Sequence, residues 1–252
     1  MTILQVEGLK KYFGGVHAVE DVFLQLREGE IRAVIGPNGA GKTTFFNVVC
    51  GKYPPTSGKV FLMGMDVTGL PPHRISRLGL GKSFQITNIF LGLTVFENVQ
   101  AAVISFQKKG GNFLTPASRL KEINDEVMEI LKAVGLERKE ASPSISLSHG
   151  EQRHLEIGLA LAGRPKILLL DEPTAGMTPY ESILTMELIG KLVKEKGVTI
   201  LFAEHDMDVV FSVADRITVM NQGRVIAEGI PEEIKQHQEV RDVYLGRTYA
   251  ST

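Results

Sequence analysis

At 252 residues, with 43% hydrophobic and 23% charged side chains, the sequence has the balance of one large globular domain, or one domain carrying an inserted lobe. Its formal net charge of −1, without a long basic run, argues against a nucleic-acid binder held by phosphate electrostatics. Its one cysteine, Cys50, excludes an intrachain disulfide and fits a reducing cytosol. The strongest apolar run, Ile167-Leu168-Leu169-Leu170, falls far short of the roughly 18–20 residues a membrane span needs. The opening residues, Glu7 among them, are expected not to form a secretion signal.

Residues 3–6 alternate weakly and 22–26 more clearly, so both read as strands, the second closed by a turn at 27–30. Residues 30–35 read as a strand that feeds Gly36-Pro37-Asn38-Gly39-Ala40-Gly41-Lys42-Thr43. That stretch fits G-x-x-x-x-G-K-[ST], the loop that cradles nucleotide phosphates. Its glycines let the chain turn tightly enough to aim successive N–H groups at phosphate oxygens. Residues 43–49 read as the helix leaving the loop, its positive end toward the phosphates. Gly36 through Thr43, with Thr44 at the helix start, are the candidate phosphate-binding residues. Lys42 can place an ammonium between the outer phosphates, and the Thr43 hydroxyl can hold Mg²⁺.

A strand at 59–63 follows the Pro54-Pro55-Thr56-Ser57-Gly58 turn. From about residue 95 to 163 the pattern turns helical, most clearly at 120–134, where apolar residues fall at helical spacing. Residues 107–116 read as a mobile loop. Ser148 and Glu151 have the spacing of a capping box for a helix running to about residue 162. Serine and glycine at a helix start also suit an anion, and spacing alone leaves both readings open.

Residues 166–170 read as a buried strand ending in Asp171-Glu172. Ligands in such sheets bind beyond the carboxyl ends of the strands. Asp171 is therefore placed for Mg²⁺, and Glu172 to align or deprotonate an attacking water. A helix at 180–196, a strand at 198–203 and a helix at 207–213 follow. A hairpin turns at Asn221-Gln222-Gly223-Arg224, and a last helix starts at 230–234 with proline near its first position. The pattern is α/β: a mostly parallel sheet, an antiparallel strand-rich edge and an inserted helical lobe.

Leu147-Ser148-His149-Gly150-Glu151-Gln152, about twenty residues before Asp171-Glu172, resembles the signature sequence of ATP-binding-cassette ATPases. Further elements stand in the family's order. Phe13, before Gly14-Gly15, matches the aromatic that stacks on adenine. Gln85, in Lys82-Ser83-Phe84-Gln85, matches the glutamine that senses Mg²⁺ and contacts the transporter. Ala175-Gly176-Met177-Thr178-Pro179 matches the loop linking two nucleotide sites, and His205 matches the histidine that contacts the γ-phosphate. His149 stands where the commonest signature has glycine, and Met177-Thr178-Pro179 lacks the usual acidic residue of the linking loop.

The resemblance implies a P-loop NTPase fold. One cassette spans 1–252, with a core at 1–87 and 164–252 and a lobe at 88–163. It implies ATP hydrolysis with Lys42, Gln85, Glu172 and His205 in catalysis, and Mg²⁺ at Thr43, Gln85 and Asp171. Ser148 and Gly150 would complete the nucleotide site of a second cassette, either another copy or a sibling ATPase. Tyr12-Phe13-Gly14-Gly15, Glu204-His205-Asp206-Met207-Asp208 and residues 223–229 resemble the importers of branched-chain amino acids. That subgroup implies two membrane permease subunits, an extracytoplasmic solute-binding protein, and a place on the inner face of the plasma membrane. A lipopolysaccharide-export motor and a soluble non-transport ATPase remain as alternatives.

Overall fold

The computed structural model describes residues 1–82, 89–107 and 121–244. Two sheets organise them. The antiparallel sheet holds β1 (Thr2–Phe13), β2 (Val16–Arg27), β4 (Ser57–Leu62) and β5 (Met65–Asp66), in the order β2-β1-β4-β5. The main sheet holds β3 (Ile31–Ile35), β6 (Leu80–Lys82), β7 (Ile167–Asp171), β8 (Thr199–Glu204), β9 (Arg216–Asn221) and β10 (Arg224–Gly229), in the order β10-β9-β3-β8-β7-β6. It is parallel except where β10 returns against β9.

The apolar pattern dictates this division. β3, β7 and β8 are buried at every position, as a parallel sheet covered on both faces requires. β2 alternates instead: Val22, Leu24 and Leu26 are buried while Phe23 faces out, so this sheet has one wet face. Successive residues of the parallel strands enter different cores. Leu168, Leu170, Ile200 and Phe202 join the helical side; Ile167, Leu169, Leu201 and Ala203 join the antiparallel sheet. Phe45 and Phe46 of α1 (Lys42–Val49) fill the space between the two sheets.

The helical segment is α3 (Val95–Phe106), α4 (Lys121–Ala133) and α5 (His149–Leu161), packed on one another. The buried residues Ile123, Val127, Ile130 and Leu131 of α4 lie at the expected helical spacing. Beyond Gln107, the loop expected at 107–116 lies outside the described residues. α6 (Pro179–Lys196) starts on a Thr178–Glu181 capping box and stops at Gly197, whose φ of 64° suits glycine. α7 (Met207–Val213) follows β8 as expected.

Several elements depart from the sequence reading. β1 runs to Phe13 rather than ending near Val6, because register shifts let it bend past polar residues. α2 (Pro72–Arg77) and the three-residue β6 carry too few apolar residues to register as elements. The helix at α8 (Pro231–Gln236) is not the last: α9 (Gln238–Tyr244) follows, and Val240 is its one buried residue.

Phe46 is fully buried between the sheets. Phe46→Ala is expected to cost about 3–5 kcal/mol, read as a lower urea midpoint at unchanged slope.

Candidate nucleotide site

β3 enters the phosphate loop from the centre of the sheet, and α1 leaves it. Two glycines are sterically required. A Cβ on Gly36 would lie 2.2 Å from the Met220 carbonyl oxygen, and one on Gly41 2.3 Å from that of Ala18. Gly41, the residue before α1, also has a φ of 101°. The β9–β10 turn braces the loop from behind: the Gly223 amide donates to the Ala40 carbonyl at 2.9 Å.

Lys42 is buried, and its Nζ donates to the carbonyls of Gly36 at 2.5 Å and Pro37 at 3.3 Å. Burial pushes its pKa down, while the carboxylates of Glu172, Asp171 and Glu204 pull it back up. Above the loop lies an open cavity of about 320 Å³, walled by Asn38 to Thr44, by Val16 to Ala18, and by Glu172 and Gln222. The sequence reading assigns neither Gln222, seen there as a hairpin residue, nor residues 16–18 to the site, since nothing local marks a hairpin turn or a strand start as part of one.

The acids arrive on neighbouring strands that end in step. Ile35 lies beside Glu204, and Asp171 beside Ala203. Asp171 is 1% exposed, and its Oδ1 has no hydrogen-bond partner among the described residues. Burial raises its pKa. An orphaned, buried carboxylate oxygen near the loop fits an Mg²⁺ ligand. No cluster of three His, Cys, Asp or Glu among the described residues could hold a metal alone, so the ion would also take a hydroxyl, phosphate oxygens and water. Thr43, which lines the cavity, carries such a hydroxyl.

Glu172 sits at φ 48°, a left-handed conformation that costs a non-glycine residue energy and clusters at functional sites. Its amide donates to the Ala203 carbonyl at 2.9 Å. His205 follows β8, with Nδ1 4.0 Å from Glu172 Oε1 and 3.6 Å from Glu204 Oε2. Glu204, missed in the sequence, is fully buried and accepts from the Thr174 amide at 2.9 Å and hydroxyl at 2.5 Å. It ties the turn after Glu172 to the histidine.

The remaining candidates stand apart. Phe13 is half exposed at the end of β1; Tyr53 meets its ring edge-on at 5.5 Å, and Lys11 Nζ lies 4.9 Å from its centroid. It does not line the loop cavity. Ser148 and Gly150 begin α5 and do not line it either. The Ser148–Glu151 capping box is formed in full. The Glu181 side chain lies where a Gly150 Cβ would touch it at 3.2 Å. The amide and hydroxyl of Thr178, then the Gly150 amide and Ser148 hydroxyl, hold the Glu181 carboxyl below its usual range. Gln85 lies outside the described residues. A wider cleft of about 790 Å³ lies beside α4, where Glu126 pairs with Arg164, and contains none of these groups.

Residues 19–175 match the ABC transporter family model. The chain belongs to the ABC transporter family. It is an ATP-binding cassette, the ATPase part of such transporters. Residues 224–250 match a second model, described as branched-chain amino acid ATP-binding cassette transporter. The chain is 43% identical to the high-affinity branched-chain amino acid transport ATP-binding protein BraF of Pseudomonas aeruginosa, covering 97% of this chain and 98% of that one. It is likewise 43% identical to the corresponding protein LivG of Salmonella typhimurium over the same shares. A solved ABC transporter cassette in its ADP conformation superposes with a TM-score of 0.87 at 28% identity, covering 98% of this chain and 99% of that one. A dimeric cassette in a post-hydrolysis state with ADP and Pi superposes at 0.76 and 28% identity, covering 91% of this chain and 99% of that one.

The raised pKa of Asp171 has a stability consequence. The unfolded carboxyl ionises first, so the ligand-free cassette loses stability as pH rises from the ordinary carboxylate range toward the raised value. Asp171→Asn removes that slope and is expected to raise the ligand-free Tm at neutral pH by about 2–4 °C. It is also expected to remove the extra thermal shift that Mg²⁺ adds to ATP. Calorimetry across pH, with and without Mg-ATP, measures both.

Proposed function

We propose that this cassette powers an importer of branched-chain amino acids, attached to the inner face of a membrane through two permease subunits and served by an extracytoplasmic solute-binding protein. The observation that carries this reading is the nearly full-length match to subunits named for that transport, joined by the match at residues 224–250. No helix among the described residues is long and apolar enough to cross a membrane, so membrane attachment runs through the partners. The core is 1–87 with 164–252, and the lobe is 88–163.

In this reading the loop amides from Gly36 to Thr44 and the Lys42 ammonium hold the phosphates, and Phe13 stacks on adenine. Thr43 and Asp171, with Gln85, hold Mg²⁺, which neutralises phosphate charge when bound. Glu172 takes the proton of the attacking water, and His205 contacts the γ-phosphate. Ser148 and Gly150 serve the nucleotide of a second cassette arranged head to tail, which is why neither belongs in its own chain's loop cavity. The similar cassette solved as a dimer supports the pairing of two cassettes.

Glu172→Gln keeps the size and hydrogen bonding of the side chain and removes the base. The variant is expected to bind Mg-ATP, to hydrolyse it about 10²–10⁴ times more slowly, and to accumulate a closed dimer, alone or with a sibling ATPase. Size-exclusion chromatography with Mg-ATP and a turnover assay test this. Hydrolysis at the wild-type rate removes Glu172 as the base. Failure of every mixture to dimerise while ATP still binds removes the composite site.

A groove of about 430 Å³ between β6, α2, α3 and α5 is lined by Leu80, Lys82, Phe106 and Leu159. It reaches from the core strand ending at Lys82, three residues before Gln85 in the sequence, to α3 and α5, and we place a short permease helix there. Leu159→Glu is expected to weaken co-purification with the permeases from membranes roughly tenfold, about 1.4 kcal/mol, while the isolated cassette keeps its ATPase rate. Undiminished co-purification removes the groove as the docking place, and recovery of export components instead of permeases removes the importer.

A further inference from the structure

Arg153 lies one turn into α5, past the Ser148 cap, and its side chain is 12% exposed. One guanidinium nitrogen donates to Glu156 Oε2 at 2.6 Å. The other donates to two backbone carbonyls at once, Asp171 at 2.6 Å and Glu172 at 3.0 Å. Those carbonyls belong to the last residue of β7 and to the left-handed residue that follows it. A small cavity of about 160 Å³ separates the start of α5 from the loop after Glu172, and Arg153 and Glu156 form part of its wall. The guanidinium therefore bridges a gap between helix and strand end that is otherwise loosely filled.

A guanidinium suits this task. It is planar, permanently charged, and offers several N–H donors in a fixed fork. Glu156 orients it from the same helix, so the fork follows α5 as a rigid attachment. Glu172 sits in a sparsely populated backbone conformation, which persists only where its surroundings over-determine it. Two charge-assisted bonds to its own and the preceding carbonyl are part of that determination.

We infer that Arg153 is a positioning residue that makes the aim of the Glu172 carboxylate depend on the placement of its own chain's α5. This rests on the assignment of Glu172 as the base. The start of α5 carries Ser148 and Gly150, the groups assigned above to the second cassette's nucleotide. A movement of α5 set by that nucleotide is passed through Arg153 to the Asp171 and Glu172 carbonyls. Each site is thereby told whether the other is closed.

Steady-state hydrolysis by the full chain with Mg-ATP tests this, with nucleotide affinity and the unfolding midpoint measured alongside. Arg153→Met keeps the length of the side chain and removes its donors. It is expected to lower kcat by about 10²-fold, as misplacement of a reacting group by about 1 Å does, with ATP affinity within about twofold of wild type. Arg153→Lys can reach one carbonyl and is expected to recover part of the rate. Glu156→Gln loosens the fork and is expected to lower kcat less than Arg153→Met does, again at unchanged KM. A kcat for Arg153→Met within about threefold of wild type overturns the inference. So does a rate loss matched by equal losses of affinity and stability, which is the mark of a strut without a positioning role. Should Arg153→Met fail to fold, Arg153→Lys and Glu156→Gln decide: wild-type kcat in both overturns the inference, and a loss at unchanged KM supports it. Glu172→Gln run in parallel separates the two failures. If it turns over at the wild-type rate, the base assignment falls and this inference with it; if it is dead while the Arg153 variants are unimpaired, only the inference falls.

Discussion

The site is organised around a buried ammonium. Lys42 is out of water, pinned to the carbonyls of Gly36 and Pro37, and lies in the field of Asp171, Glu172 and Glu204. A buried charge is tolerated only where opposite charge and hydrogen bonds replace the lost solvent. The carboxylates help keep Lys42 charged, and Lys42 in turn lowers the cost of ionising Asp171. Lys82 and Arg153 favour the ionised Asp171 in the same way, while its burial opposes it. That carboxyl keeps one oxygen without a hydrogen-bond partner among the described residues.

That arrangement depends on the main sheet. β3, β8 and β7 are parallel neighbours whose ends stay in register, so the residues following each of them meet on one edge. The same alternation that sends Leu168 to one core and Leu169 to the other fixes which side of the strand Asp171 faces. A one-residue slip of β7 would exchange the two cores and turn Asp171 away from the loop. The apolar residues of the strand therefore specify the position of the acid at its end.

The same logic explains what the sequence does and does not disclose. The phosphate loop, β7, β8 and the cap at Ser148 are readable because their determinants are local: glycines at fixed offsets, unbroken apolar runs, a serine three residues before a glutamate. β6 and α2 are short pieces held by neighbours rather than by their own pattern. Arg153 and Glu204 look like ordinary charged residues until the fold buries them. Their roles come from what lies across a gap, Asp171 and Glu172 in one case and Thr174 in the other. The surroundings of Phe13 are unreadable for the same reason, since Lys11 and Tyr53 converge on its ring only after β1 has bent.

The start of α5 shows how a structural and a functional reading of one residue can both be right. As a cap, Ser148 uses a lone pair of its hydroxyl oxygen to accept the Glu151 amide. A serine hydroxyl has a second lone pair and one proton to donate. Capping consumes neither, so the O–H remains available to an anion. The helix dipole and the exposed first-turn amides favour negative charge at that position. The chain displays the preference with its own residues: the Glu181 carboxylate rests against Gly150 and is held ionised by the Thr178 amide and hydroxyl, then by the Gly150 amide and Ser148 hydroxyl. A well-made helix start and an anion-binding surface are therefore one construction, and His149 between them is exposed without interrupting either.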